Sequence, residues 1–286
     1  MKQKSSRQTL AHQKITVSFW GVRGSIASPR LKNSRYGGET ACVAIHYKKN
    51  WLVCDAGTGI RNLGQKLRKT KEPITLFLSH LHWDHLFGLP FFKPLYQRGR
   101  KILLAGPANQ YSSFRKALGQ IVAPPFFPIR PRDWKAAIQW RTLKSGAALL
   151  EAMKVEARRA KHPGETYGFK FIFPGGKKII YVTDQELQSS DKPFAKWIKG
   201  ADLLIHDSQY DRKKQAAKKG WGHSAFETVL EIALKAGVQR LVLFHHDPDS
   251  DDRLLEKRLK GCKKTIRTHK SSMKCFLAKE GSSFLV

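Results

Sequence analysis

Acidic residues, sulfur and long apolar runs are all scarce in this chain. There are 22 Asp and Glu against 53 Lys and Arg, giving a formal net charge of +31 over 286 residues. That imbalance points to polyanions, above all RNA or DNA, as partners. The cations are spread widely, as in Arg98/Arg100/Lys101, Arg158/Arg159/Lys161, Arg212–Lys219 and Lys257–Lys264. A generally basic, solvated surface therefore stays open as the alternative. The cysteines (Cys42, Cys54, Cys262, Cys275) are scattered with no CxxC, which speaks against a disulfide framework. Free thiols in a reducing cytoplasm are expected. No stretch approaches the ~20 apolar residues of a membrane span, so no membrane contact is expected. The opening segment MKQKSSRQTLAHQK is basic and polar, without the apolar centre of a signal peptide, and is read as a flexible arm over 1–14.

An apolar fraction of 41% is enough for a sizeable core. Strands are expected at Ile15–Trp20, Ala41–His46, Trp51–Asp55, Ile74–Ser79 and Lys101–Ala105, and further on at Tyr167–Phe173, Lys178–Thr183, Leu203–His206, Arg240–Phe244 and Met273–Ala278. Between them, Ile60, Leu63 and Leu67 share a helix face, and further helices are expected at Ala108–Leu118, Ser224–Gly237 and Asp251–Lys263. The proline-rich Pro124–Arg132 reads as a loop. With no low-complexity linker, one α/β domain over 15–286 is the economical reading.

The densest chemistry lies in SHLHWDHLFG, Ser79–Gly88, where His80, His82, Asp84 and His85 follow an apolar strand. Alternate residues His80 and His82 can face one point, and Asp84 and His85 a second. Imidazole and carboxylate without thiolate suit Zn²⁺, Mn²⁺ or Fe. Four ligands do not complete two metals. His162, Asp184 and His245 also stand beside strand ends, although each alone reads equally as a cap or a loop histidine.

These residues resemble the metallo-β-lactamase-fold hydrolases, an αββα sandwich with a dinuclear site between two sheets. His80-x-His82-x-Asp84-His85 matches their HxHxDH signature. The resemblance implies that His80, His82 and His162 hold one divalent ion, Zn or Mn, and Asp84, His85 and His245 the other. It also implies that Asp184 bridges them, that His246 is a neighbour, and that Asp55 in VCDAGTG supports the ligand loop from behind. LIHDSQY (Leu204–Tyr210) and GWGHSAFE (Gly220–Glu227) resemble the phosphodiesterase branch, with Asp207 and Ala225 in place of Glu and Thr. In that branch, water activated by the metal pair attacks phosphorus. His223, oriented by Asp207, would protonate the leaving alkoxide. The alternative for His223 is a helix cap, and His206 reads as a site residue or a buried strand histidine.

The catalytic set expected is His223, Asp207 and Asp84, with Arg23 and Ser224 as substrate contacts. Arg23 would pair phosphate oxygens, its alternative being a solvent-facing loop position. GVRGSIASP, YGGETAC, PFFKPLY and HHDP resemble a bacterial subgroup assigned to cyclic phosphodiesters, though Glu39 and Ala41 depart from its YGGNTSC. The expected function is hydrolysis of a small cyclic phosphodiester, a 3′,5′-cyclic nucleotide. The alternative is ribonuclease Z-like cleavage at tRNA or other RNA 3′ ends, for which no long projecting arm is evident. A homodimer is implied by analogy alone.

Overall fold

The computed structural model describes residues 14–29, 35–108, 112–150 and 152–286. The expected arm, but for Lys14, lies outside the described residues. The chain runs β1 (Ile15–Gly21), β2 (Cys42–Tyr47), β3 (Asn50–Cys54), α1 (Ile60–Leu67), β4 (Ile74–Phe77), β5 (Lys101–Gly106), α2 (Phe114–Ile121) and β6 (Ala137–Thr142). It continues through β7 (Gly146–Leu150), β8 (Met153–Arg159), β9 (Tyr167–Ile172), β10 (Lys178–Val182), α3 (Lys192–Ile198), β11 (Leu203–Asp207) and α4 (Arg212–Ala217). It closes with α5 (Phe226–Lys235), β12 (Arg240–Phe244), α6 (Asp252–Thr268), β13 (Lys274–Leu277) and β14 (Ser283–Leu285).

Two seven-stranded sheets result, ordered β14-β1-β2-β3-β4-β5-β6 and β13-β12-β11-β10-β9-β8-β7. Each has an antiparallel half and a parallel half: β1–β2–β3 and β8–β9–β10 alternate direction, whereas β3–β4–β5–β6 and β10–β11–β12–β13 run parallel. The reason is in the patterning. Ile15, Val17 and Phe19 alternate inward along β1, the signature of a one-sided strand, while β11 is buried throughout, as parallel strands covered on both faces must be. Phe19, Ile45, Phe77, Phe169, Phe171, Tyr181 and Phe244 interdigitate between the sheets. Outside them, α1 and α2 cover the first sheet through Ile60, Leu63, Leu67, Phe114 and Leu118. The second sheet is covered by α3, α5 and α6 through Phe194, Ile198, Val229, Leu255 and Ile266. The architecture is the expected αββα sandwich.

Several elements differ from the sequence reading. The second helix starts at Phe114 rather than Ala108, and residues 109–111 of the expected span lie outside the described residues. Strands β6, β7, β8 and β14 and helices α3 and α4 were not legible. Strands β6 and β7 are mostly exposed edge strands with little apolar alternation, so their pairing is dictated by neighbours.

Parallel strands place their C-terminal ends along one rim. Asp55 follows β3, the His80–His85 segment follows β4, Asp184 follows β10, Asp207 ends β11 and His245 follows β12. This is the arrangement by which an α/β sheet gathers ligands from distant parts of the chain.

Candidate dinuclear metal centre and acid pair

Turning out of a strand sharply enough to aim a side chain across the rim requires unusual backbone. Asp55, Asp184 and His245 all adopt left-handed φ, at 63°, 50° and 58°, as does Ser25 at 63°. Such conformations cost of order 1–3 kcal/mol each and persist only where the surroundings impose them.

Three donor clusters form there; Asp207, His223 and His245 make the smallest, and the other two share Asp184. His80, His82, His162 and Asp184 make one, and Asp84, His85, Asp184 and His245 the other, with donor atoms in each within 4.8 Å of one another. Asp184 belongs to both. Its Oδ2 is 3.6 Å from Nε2 of His80 and of His162, and its Oδ1 is 3.2 Å from Nε2 of His85 and of His245. Nε2 of His162 lies 3.1 Å from Nδ1 of His82. On the other side, Asp84 Oδ2 stands 3.1 Å from His85 Nε2 and 3.2 Å from His245 Nε2.

Hydrogen bonds behind the rings settle which nitrogen faces inward. His162 Nδ1–H donates to the Gly222 carbonyl at 3.0 Å, and His245 Nδ1–H to Gln209 Oε1 at 2.9 Å. His85 Nδ1 is 2.9 Å from Asp55 Oδ2 and donates to that carboxylate. Since these partners accept, the Nε2 atoms carry lone pairs in the neutral rings. Lone pairs and carboxylate oxygens then converge at 3.1–3.6 Å with like polarity, which positive charge between them stabilises. His80 Nε2 is buried with no hydrogen-bond partner. The donor set therefore fits two divalent cations.

Electrostatics agree with that fit at the first cluster. At the second, burial opposes protonation of His85, but the Asp84, Asp184 and Asp55 carboxylates around it raise it well above the usual histidine range when no cation is bound. Burial first, then repulsion among neighbouring imidazoles, holds His80 well below the usual histidine range, and burial likewise lowers His82 and His162. Neutral rings are the ones that coordinate. Burial opposes ionisation of Asp184 and Asp84, yet the surrounding histidines hold both carboxyls below their ordinary values.

Asp55 is fully buried and organises the cluster from behind. It accepts from Ser79 N at 2.7 Å, Ser79 Oγ at 2.9 Å and Tyr181 Oη at 2.7 Å, besides His85. Tyr181, Gln209 and Ser25, whose backbone N–H donates to Asp84 Oδ2 at 2.8 Å, escaped the sequence reading. One signal was available in GVRGS. A Cβ on Gly24 would lie 2.4 Å from the His245 ring, so only glycine admits the loop there.

Beside the second cluster, His223 Nδ1 meets Asp207 Oδ2 at 3.0 Å, and its ring stacks on His245 with centroids 5.3 Å apart. Asp207 is fixed by Gln209 N at 2.9 Å. Burial disfavours the charged ring, but the adjacent Asp207 carboxylate overrides it and pushes His223 up to about 9.

The two expected substrate contacts, Arg23 and Ser224, are both buried and bonded to backbone groups. Arg23 is buried, with Nε donating to Gly37 O at 2.8 Å and Nη1 to Ser250 O at 2.7 Å and Asp247 O at 3.1 Å. It clamps three loops and is buried rather than solvent-facing. Ser224 is fully buried, accepting from Leu187 N at 3.1 Å and donating to Gln185 O, which ties down the loop after Asp184. His206 is a buried strand residue packed edge-on against Phe194, and His246 donates to Ala278 O at 2.9 Å, away from both clusters.

A family model described as "Beta-lactamase superfamily domain" matches residues 50–246. The chain belongs to the metallo-β-lactamase superfamily, as a metal-dependent hydrolase. Within it, the chain falls in the ribonuclease Z-like phosphodiesterase branch. It is 36% identical over 280 residues to a ribonuclease Z of Thermoplasma volcanium, covering 83% of this chain and 89% of the relative. It is 30% identical over 231 residues to a ribonuclease Z of Sulfolobus acidocaldarius, covering 68% and 77%. The metallo-β-lactamase fold protein YhfI of Bacillus subtilis superposes with a TM-score of 0.70 over 96% of this chain and all of that one, at 18% identity.

Proposed function

We propose that this protein hydrolyses phosphodiester bonds of RNA, with His223 as the general acid. The observation that carries the chemistry is the Asp207–His223 pair set against the second donor cluster. Asp207 accepts from Nδ1–H and its charge stabilises the doubly protonated imidazolium, which carries a transferable proton at Nε2. His80, His82 and His162 would hold one divalent ion, Asp84, His85 and His245 the other, with Asp184 shared. When bound, the ions would activate water and polarise the phosphoryl group. Zn²⁺ and Mn²⁺ both suit these donors. The chain's own part is to orient: Asp55, Gly222 and Gln209 fix the imidazoles, Ser25 fixes Asp84, and His223 delivers a proton to the departing ribose oxygen.

RNA is preferred as substrate because the curated relatives at 30% and 36% identity are ribonucleases Z, and because +31 suits a polyanion. The small cyclic phosphodiester read from GVRGSIASP and YGGETAC is the second reading. It is favoured by the short stretch from His162 to Asp184, which β9, its turn and β10 fill, leaving no projecting arm there. We further take residues 15–286 as one catalytic unit, working in the cytoplasm, where its four buried thiols stay reduced.

Turnover by Zn²⁺- or Mn²⁺-loaded protein of an RNA with a 3′ extension, beside an equimolar mixture of 3′,5′-cyclic nucleotides, separates the readings. RNA cleavage lost in His82→Ala, together with bound metal, is the expected result. Exclusive conversion of cyclic nucleotides to monophosphates would overturn RNA as the substrate.

A further inference from the structure

Two indoles stand at the mouth of the site, and proton transfer and metal binding use neither. Trp83 is 69% exposed and Trp221 is 60% exposed, in a protein whose other large side chains mostly fill its cores. Trp83 sits between His82 and Asp84, its ring 6.4 Å from that of Phe87, which is also exposed. Trp221 precedes Gly222, whose carbonyl holds His162, and lies two residues before His223. Gly222 has φ 82°, and a Cβ there would lie 2.0 Å from His162 Nδ1, so the Trp221 turn is pressed directly onto the ligand. With His82 Nδ1 and His162 Nε2 only 3.1 Å apart, the two tryptophan-bearing segments meet at one lip of the cluster. His82 is the most exposed of the ligands, so this lip faces solvent.

Cations flank the lip, with one buried carboxylate, Glu186, accepting from Gly220 N at 2.7 Å beneath the Trp221 turn and pairing with Lys161. Lys218 Nζ lies 4.6 Å from the Trp221 ring centroid. It belongs to the run Arg212–Lys219, which carries five cations; among the described residues Arg212 pairs with Glu231 and Lys214 with Asp247. A water-exposed indole with a cation at its ring complements a planar base attached to an anionic backbone. We propose that Trp83 and Trp221 form a stacking platform for the unpaired bases flanking the scissile phosphate of single-stranded RNA, with Lys218 meeting the backbone. This rests on the RNA reading above. A small cyclic phosphodiester would lack the flanking bases that such a platform takes.

The test is equilibrium binding, read by tryptophan fluorescence, of a short non-hydrolysable oligouridylate and its base-free counterpart to the full metal-loaded chain. The base-bearing oligomer should quench fluorescence and bind about a hundredfold tighter than the base-free one, two base–aromatic stacks of about tenfold each. Trp83→Ala or Trp221→Ala should each shrink that preference about tenfold, whereas Trp83→Phe and Trp221→Phe should keep most of it. Equal affinity for the two oligomers in the wild type, or an undiminished preference in both alanine variants, would overturn the platform. So would sedimentation showing that both indoles serve a dimer interface and that the preference survives its disruption. Base-dependent binding without RNA cleavage would overturn the hydrolytic reading and spare the platform. Cleavage without base-dependent binding would do the reverse.

Discussion

At His223 burial and charge pull in opposite directions, and Asp207 decides the outcome. The ring is raised from 6.5 to about 9, so the proton is held across neutral pH. The pair's contribution to stability is accordingly full below about pH 6.5 and lost as pH rises through about 9. A proton donor works only while protonated, so turnover should fall on the alkaline side. Asp207→Asn removes the carboxylate charge and should move that fall to lower pH while metal content stays the same. Bound cations lower the ring in both proteins, so the displacement between the two pH–rate profiles is the diagnostic quantity. His223→Ala should retain two metals by elemental analysis and lose about 10²–10⁴ in turnover, the usual worth of a positioned acid. Equal turnover in that variant at saturating substrate would remove the assignment.

At the scale of elements, the site is a product of strand ends. Each parallel strand stops where its last residue or the following turn reaches the rim, and the ligands are aimed by a buried support. Asp55 alone links the ends of β3 and β4 to Tyr181 on β10, accepting hydrogen bonds across the gap between the sheets. Asp55→Asn replaces one of the two acceptor oxygens by an NH2. That group faces either Ser79 N or the Tyr181 Oη, Ser79 Oγ and His85 Nδ1 donors, so the hold on the ligand loop weakens whichever way the amide lies. Metal affinity should drop by about 10–100-fold, measured by competition with a chromogenic chelator. Unchanged affinity would mean that the ligand loop is held by its other contacts. The element-scale reading of Arg23 has the same character: it joins the loop after β1 to the Gly37 turn and the Asp247–Ser250 segment, so it acts on the shape of the rim.

For the molecule as a whole, two carboxylates and five imidazoles packed at one rim form a site that folding assembles and cations complete. Ions that bind the folded chain and not the unfolded one stabilise it by mass action, about 4 kcal/mol per ion when free metal exceeds Kd a thousandfold. Chelation should therefore lower the unfolding midpoint by several degrees, recoverable with Zn²⁺ or Mn²⁺ and followed by circular dichroism. A midpoint indifferent to chelator would mean that the clusters are satisfied without metal. Among the described residues no helix is long and apolar enough to cross a membrane.

Much was legible because the chemistry is concentrated locally. His80, His82, Asp84 and His85 are close in sequence and follow a strong apolar strand, so their pattern survives without a structure, and the αββα architecture came with the resemblance that pattern carries. His162, Asp184 and His245 could be suspected from their places beside strand ends, but only the sandwich brings them within reach of one shared carboxylate. Arg23 and Ser224 show the limit. Both lie in glycine-flanked or histidine-flanked segments that read as active-site loops, yet whether a side chain faces substrate or its own backbone depends on partners up to 227 residues away. Edge strands β6 and β7 escaped for a similar reason, since an exposed strand with weak alternation takes its conformation from the neighbour it pairs with. Residue type and spacing along the chain determined what chemistry this protein carries. Tertiary packing decided which of those residues face one another, because burial, tautomer and charge are properties of neighbours that sequence proximity does not supply.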